Sequence, residues 1–174
     1  EMTSGIRSGI LQFTYPESDS SFILLDMNHT LWQSCPWSNL RVENDSTLVG
    51  YKLVKGWGPE RHVYFTAGFS KPFRDFGIMQ DTIPVTNRFR SSLEAWGKDL
   101  RFWMRFPTRQ GEVVTVKTAV SAVSSDGAKL NMQELEGKTF ASLKAEGEKL
   151  WEGQLSKFKI EATPEQRETF YEGW

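Results

Sequence analysis

No stretch of this sequence approaches the roughly 20 consecutive apolar residues that a membrane-crossing helix requires. Charge of one sign is equally scarce: 21 Lys and Arg stand against 22 Asp and Glu, the formal net charge is -1, and like charges form no block. An electrostatic footprint for nucleic acid or for an anionic membrane surface is therefore missing. Cys35 is the only cysteine, so no internal disulfide can form and no cysteine spacing reports the redox compartment. The only histidines are His29 and His62, far apart in sequence, and the three residues form neither a zinc set nor a thiol nucleophile with a recognisable local base. A buried, inert Cys35 is the expectation. A Gly-rich phosphate loop, a nucleophile elbow and an Asp-x-Asp-x-Asp-Gly calcium loop are absent as well. The sequence opens on Glu1 rather than Met, which predicts a processed product or a piece of a longer polypeptide.

What the sequence has in quantity is aromatic side chains, with seven Trp and twelve Phe in 174 residues. That load, with 39% hydrophobic residues, belongs to a globular chain long enough for one sizeable domain and an appendage. The first three quarters read as strands. Phe13 and Tyr15 precede, and the run Phe22 to Leu25 follows, the polar turn from Pro16 to Ser20. Val63, Phe65, Ala67 and Phe69 alternate with His62, Tyr64, Thr66 and Gly68, and Leu100, Phe102, Met104 and Phe106 alternate with Arg101, Trp103 and Arg105. Val114, Val116, Thr118, Val120 and Ala122 form another such series, with Lys117 and Ser121 on its opposite face. A period of two places each set on one face of a sheet, and strands separated by Gly, Pro and Asn turns predict an antiparallel sandwich over residues 1–123.

Beyond Ser125-Asp126-Gly127 the spacing changes. Ala128, Leu130 and Leu135 suggest a short helix, and Phe140, Leu143, Leu150, Trp151, Leu155 and Phe158 fall at the three- and four-residue intervals of one helix face. Gly147 and Gly153 weaken that helix by about 1 kcal/mol each relative to Ala, so it is expected to depend on packing. Thr163-Pro164-Glu165-Gln166 is a capping box with Pro at the first helical position, a strong helix start. The sequence reaches Trp174 soon afterwards, with Phe170 and Tyr171 pointing to a packing surface beyond it; a continuing polypeptide is the expectation. The predicted organisation is thus a sandwich over 1–123, a helical connection over 124–162 and the opening of a further helical domain over 163–174.

Three stretches resemble glycoside hydrolase family 92. The first is Phe22-Ile23-Leu24-Leu25-Asp26-Met27-Asn28-His29. The second runs from Gly50-Tyr51 through Gly56-Trp57 and Val63-Tyr64-Phe65 to Phe69-Ser70-Lys71-Pro72-Phe73. The third extends from Gly111-Glu112-Val113 through Ser121-Ala122-Val123-Ser124, Gly127-Ala128 and Asn131 to Trp151, Leu155 and the segment from Thr163 to Tyr171. Their order covers nearly the whole chain, with a departure at Leu11-Gln12, where family members often carry His-Arg. The resemblance implies an amino-terminal sandwich of the galactose-mutarotase-like supersandwich type that precedes an (α/α)6 barrel. It further implies a calcium-dependent, inverting exo-α-mannosidase, mostly α-1,2 in preference, acting on mannose-containing glycans in the periplasm, at the cell surface or outside the cell. The general acid, general base and calcium ligands of that family belong to the helical domain, so no catalytic residue and no metal ligand is expected in this chain, and its partner is the helical domain of the same polypeptide.

Asp26, Asn28 and His29 form the best local polar cluster, because a charge ending a buried apolar strand, the expectation for Phe22 to Leu25, must be hydrogen-bonded or lie in a cleft. Trp32, Trp37 and Trp57 sit in stretches rich in Gly, Pro, Ser and Asn, where strand alternation explains them least. These six residues are the candidates for a substrate cleft or a domain interface, the latter preferred for the tryptophans. Trp103 and Trp151 read as ordinary packing residues. On physics alone, a stand-alone carbohydrate-binding or structural β-sandwich module is the alternative.

Overall fold

Period-two alternation of apolar side chains governs what most of this chain builds. A computed structural model of it describes residues 1–86, 88–89 and 92–173. The strands are β1 (Met2–Ser4), β2 (Ser8–Tyr15), β3 (Ser18–Asp26), β4 (Ser34–Val42), β5 (Thr47–Lys55), β6 (Arg61–Phe69), β7 (Asp75–Gln80), β8 (Ile83–Pro84), β9 (Arg88–Phe89), β10 (Ser92–Gly97), β11 (Leu100–Thr108) and β12 (Glu112–Ser121). A large antiparallel sheet has the order β1-β2-β12-β6-β5-β4-β10-β9, and a small one β3-β11-β7-β8. Helices α1 (Ser125–Met132), α2 (Phe140–Leu155) and α3 (Pro164–Glu172) follow, with a 3-10 turn at Gln133–Leu135 between the first two.

The sheets close on one core. From the small sheet come Ile23, Ile78, Leu100, Phe102, Met104 and Phe106; Leu40, Leu48, Ala67, Phe69, Val114 and Val116 face them from the large one. The segment Phe69-Ser70-Lys71-Pro72-Phe73 fastens the layers. Phe69 and Phe73 enter the core with ring centroids 5.0 Å apart, and both stack near Phe102. The Ser70 hydroxyl accepts the Thr115 amide at 2.9 Å, and the Lys71 ammonium pins the β11–β12 turn through Pro107 O at 2.5 Å and Glu112 at 2.7 Å. Two αL residues, Asp81 (φ 56°) and Asp99 (φ 54°), tighten the turns that lead into β8 and β11.

Three expectations change. The series Val114 to Ala122 does not keep one face in the core: Val114 and Val116 are buried, but Val120 is 44% exposed while Ala119, on the opposite face, is fully buried. The strand outruns the small sheet, and its outer face takes α1 instead. The apolar run of β3 likewise alternates rather than being buried throughout, with Phe22 and Leu24 on the outer surface. In α2 only Leu143 is buried, and Leu150 and Trp151, expected to pack, are exposed on this chain.

Helices α1 and α2 dock on the outer face of the large sheet. Ile10 of β2, Leu135 and Leu143 make a second, smaller core there, with Met132 and Phe140 at its edge. Polar contacts lock it: Glu134 accepts the Arg7 amide at 3.1 Å, the Arg7 guanidinium at 3.1 Å and the Ser8 hydroxyl at 2.9 Å, and Lys117 donates to Leu135 O and Lys138 O. Thr139 and Ser142 form a capping box at the start of α2, and Thr163 and Gln166 form one at α3. No residue of α3 is buried; Phe170 and Tyr171 are half-buried, and the Tyr171 hydroxyl donates to Phe158 O at 2.7 Å. Trp174, at the end of the segment expected to open a barrel, lies outside the described residues.

Candidate functional site

At one end of the sandwich the β3–β4 loop and the β5–β6 loop meet. Asp26 closes β3; its carboxylate accepts the Asn28 amide at 2.8 Å and pairs with the Arg101 guanidinium at 3.2 Å, which fixes the direction in which the β3–β4 loop leaves the sheet. Met27 buries itself beneath the loop, and its amide is bonded to Leu100 O. His29 presents its carbonyl to the Lys52 ammonium at 2.6 Å, while the side chains of Asn28 and His29 point outward, exposed. Thr30 then donates to Gln33 O, a local turn that leaves Leu31 and Trp32 projecting at 85% and 84% exposure.

The second loop carries Trp57, 89% exposed. A Cβ on neighbouring Gly56 would sit 2.6 Å from Gln33 Cγ, so the bare glycine is what lets the Trp57 loop lie against the Trp32 loop. Trp37 belongs elsewhere than the loop-like surroundings of its sequence suggest. It is a strand residue of β4, opposite Leu53 of β5, on the outer face of the large sheet.

Around Trp37 that outer face carries aromatic residues for which no site role is expected from sequence. Tyr51 pairs across the sheet with Tyr64 at 4.9 Å between centroids and with His62 at 5.9 Å, and the Tyr51 hydroxyl shares a 2.9 Å hydrogen bond with His62 Nδ1. Trp96 of β10, opposite Asn39, extends the row at 54% exposure. Their signal in the sequence is the polar half of the period-two pattern, His62-x-Tyr64, which marks the face turned from the sandwich core but not the neighbours that other strands bring to it. The structure thus brings Trp32 and Trp57 together on adjoining loops, puts Trp37 on the adjacent strand face, and turns Asp26 to the small sheet's outer face.

Glycoside acid–base chemistry needs a carboxyl held protonated. Partial burial opposes the charge on Asp26, but the Asn28 amide and Arg101 outweigh it and hold the carboxyl below its ordinary range. Glu60, Glu112 and Glu134 are likewise shifted down. Burial pushes the Cys35 thiol up, and its Sγ lies 3.6 Å from Trp37 O, so it is a poor nucleophile. Among the described residues no three of His, Cys, Asp and Glu gather to hold a metal ion, and no helix is long and apolar enough to cross a membrane.

Comparison with known proteins adds what geometry alone does not carry. The profile of the glycosyl hydrolase family 92 N-terminal domain matches residues 1–121. Among solved structures, the family GH92 α-mannosidase BT3965 from Bacteroides thetaiotaomicron is 64% identical, with a TM-score of 0.92 over 98% of this chain and 24% of that one. The inverting mannosidase BT2199 from Bacteroides thetaiotaomicron VPI-5482 shares the fold at a TM-score of 0.82 and 19% identity, over 98% of this chain and 22% of that one. The family GH92 glycosyl hydrolase ccman5 does so at 0.81 and 21%, over 98% and 23%. The chain therefore spans about a quarter of the length of these relatives. Comparison with curated proteins gives no match.

Proposed function

The chain belongs to glycoside hydrolase family 92, and from that membership we propose that it is the non-catalytic amino-terminal part of a calcium-dependent, inverting exo-α-mannosidase, α-1,2 in preference, that trims mannose-containing glycans in the periplasm, at the cell surface or outside the cell. The observation that carries this reading is 64% identity to an α-mannosidase across 98% of the chain, which makes up only 24% of that enzyme's length. The down-shifted carboxyls support assigning the acid and base to residues outside this chain. Among the described residues no three of His, Cys, Asp and Glu gather to hold a metal ion, and the proposed metal dependence is assigned to the helical domain. Within the whole enzyme the sandwich supports that domain and walls its cleft, with Trp32, Trp37 and Trp57 as anchors at the contact. Their exposure supports that role, since a projecting indole loses water contact only against a partner.

The test compares the 174-residue chain with the longer polypeptide encoded by the same gene on α-1,2-mannobiose, following the anomeric protons by NMR. The longer product is expected to release β-mannose first and to lose turnover in EGTA, while the chain alone shows none. Turnover by the chain alone, abolished by Asp26→Asn, would overturn the assignment.

A further inference from the structure

Two sheets have four ends between them, and three of these are blunted in the way that keeps an edge from recruiting further strands. The large sheet stops at β1, three residues long, and at β9, two residues long; the small sheet stops on one side at β8, two residues that include Pro84. Its other end, β3, runs for nine residues with neither Pro nor Lys, and it pairs only with β11 among the described residues. Leu100 O accepts the Met27 amide, so the alternate residues Phe102 and Met104 turn their main-chain groups toward Leu25 and Ile23. Phe22 and Leu24 therefore turn theirs to the open side. There the Tyr15 hydroxyl donates to Phe22 O at 3.0 Å, and no described residue takes up the Phe22 amide or either main-chain group of Leu24.

Beside this edge the large sheet runs on uncovered. At one side β7 lies against β10, and at the other Tyr15 of β2 packs on Phe106 of β11, so the small sheet reaches its limit above β2. Register puts Phe13, Leu11 and Met2 on the same face as the core residues Val114 and Val116. Yet Met2 is 77% exposed, and Phe13 and Val120 are exposed with it. An open groove of about 570 Å³ follows this face past Met2, Ser4, Leu11, Thr118 and Val120. The small sheet's outer surface is closed as far as β11, where the Trp103 ring lies over Gly77 and Arg105 pairs with Asp75 at 3.6 Å. At β3 that closure ends, with Phe22 and Leu24 63% and 54% exposed.

We propose that β3 is a receiving edge: an extended strand from the same polypeptide, outside residues 1–174, hydrogen-bonds to Phe22 and Leu24 and covers Phe13, Leu11 and Met2. A strand placed about 4.8 Å beyond β3 and about 10 Å above the large sheet lies over the bare face of β2, so one element satisfies both the main-chain groups and the apolar surface. Its inward side chains are apolar and alternate with outward ones that continue the row of Phe22 and Leu24. A helix laid on the same face would bury the side chains but leave the edge amides unpaired. A second copy of this chain does not fit either. An antiparallel β3–β3 pair has its twofold axis perpendicular to the sheet, which drives the β1–β2 ledge of each copy into the space that the other's ledge fills. The chain makes up only 24% of its 64%-identical relative, which leaves ample polypeptide to supply the strand. That source rests on the function proposed above; the open edge itself does not.

The test compares amide hydrogen exchange, residue by residue, in the 174-residue chain and in the longer polypeptide encoded by the same gene. In the 174-residue chain Ile23 and Leu25, bonded to β11, should exchange slowly and Phe22 and Leu24 fast. In the longer polypeptide Phe22 and Leu24 should slow by at least about ten-fold. Leu24→Pro removes an amide that the β3–β11 ladder does not use, so the 174-residue chain should still fold while fast exchange returns at Phe22 of the longer polypeptide. Phe22 and Leu24 fast in both proteins, or protection of Phe22 that survives Leu24→Pro, would overturn the receiving edge. Protection already present in a dimeric 174-residue chain would give the edge to a second copy and overturn it too. The wild-type comparison needs no variant to fold. Turnover is read separately: a longer polypeptide that protects both amides but releases no mannose would sustain the edge and overturn the function proposed above.

Discussion

Replacing Gly50 by Ala tests the packing of the sandwich most directly. Gly50 lies on the inner face of β5, between Leu40 of β4 and Phe65 of β6 in register. The Phe65 ring fills the space that a side chain would occupy: a Cβ at position 50 would come within 2.6 Å of Phe65 Cζ and 2.7 Å of Asn39 O. The ring can swing, but the carbonyl is held by the strand. Overpacking of this kind costs about 1–3 kcal/mol, and the backbone clash points to the upper end. Against it stand the lower chain entropy of unfolded Ala, worth about 0.4–1 kcal/mol, and one buried methyl, about 0.8 kcal/mol. The net expectation is a loss of roughly 1–2 kcal/mol, lowering Tm by about 2–8 °C for a domain of this length. Thermal and urea unfolding followed by circular dichroism would measure it. In a double-mutant cycle Phe65→Leu should cost less in the Gly50→Ala background than alone, because it removes one of the two clashes. A Gly50→Ala chain as stable as wild type, or more so, would refute the reasoning.

Glu134 should make stability fall on acidification. Burial opposes its charge, but the Arg7 amide, the Ser8 hydroxyl and the Arg7 side chain together lower its pKa, so its contribution is complete above the unfolded value of about 4.3 and is lost as pH falls through the lower folded value. Glu134→Gln should accordingly be less stable than wild type at neutral pH, with a gap in urea midpoint that narrows as pH falls below the unfolded value; a pH-independent gap would count against the anchor. Thr163→Ala removes the cap of α3 and should cost that helix about 1 kcal/mol, speeding amide exchange in residues 164–172 without moving the global Tm, because no residue of α3 is more than half-buried. A fall in global Tm would show that α3 is coupled to the sandwich more tightly than its exposure indicates.

Individual residues show how far the sequence could be read. The alternation at Leu100, Phe102, Met104 and Phe106 translates directly into buried side chains, since a central strand under a full sheet obeys the period of two along its length. It fails at Val120 because period two assigns a face and not a cover. Trp37 misleads for a related reason: Ser34, Cys35 and Pro36 look loop-like, yet cross-strand pairing with β5 makes the segment a strand, its register shifting between Ser34 and Trp37. Trp103 shows the same limit, because its outward position follows from the alternation but its bed on Gly77 does not.

By itself the sequence determined what local chemistry and resemblance can carry. Capping boxes, turn residues and alternation are interactions among neighbours in the chain, and the family motifs are strings of residues. Which faces are covered, which loops meet at Gly56 and Gln33, and which charges pair across β3, β11 and β7 depend on strands far apart in sequence. Only the tertiary structure decided them, because a strand's two faces look alike in the chain until another layer buries one and leaves the other to water.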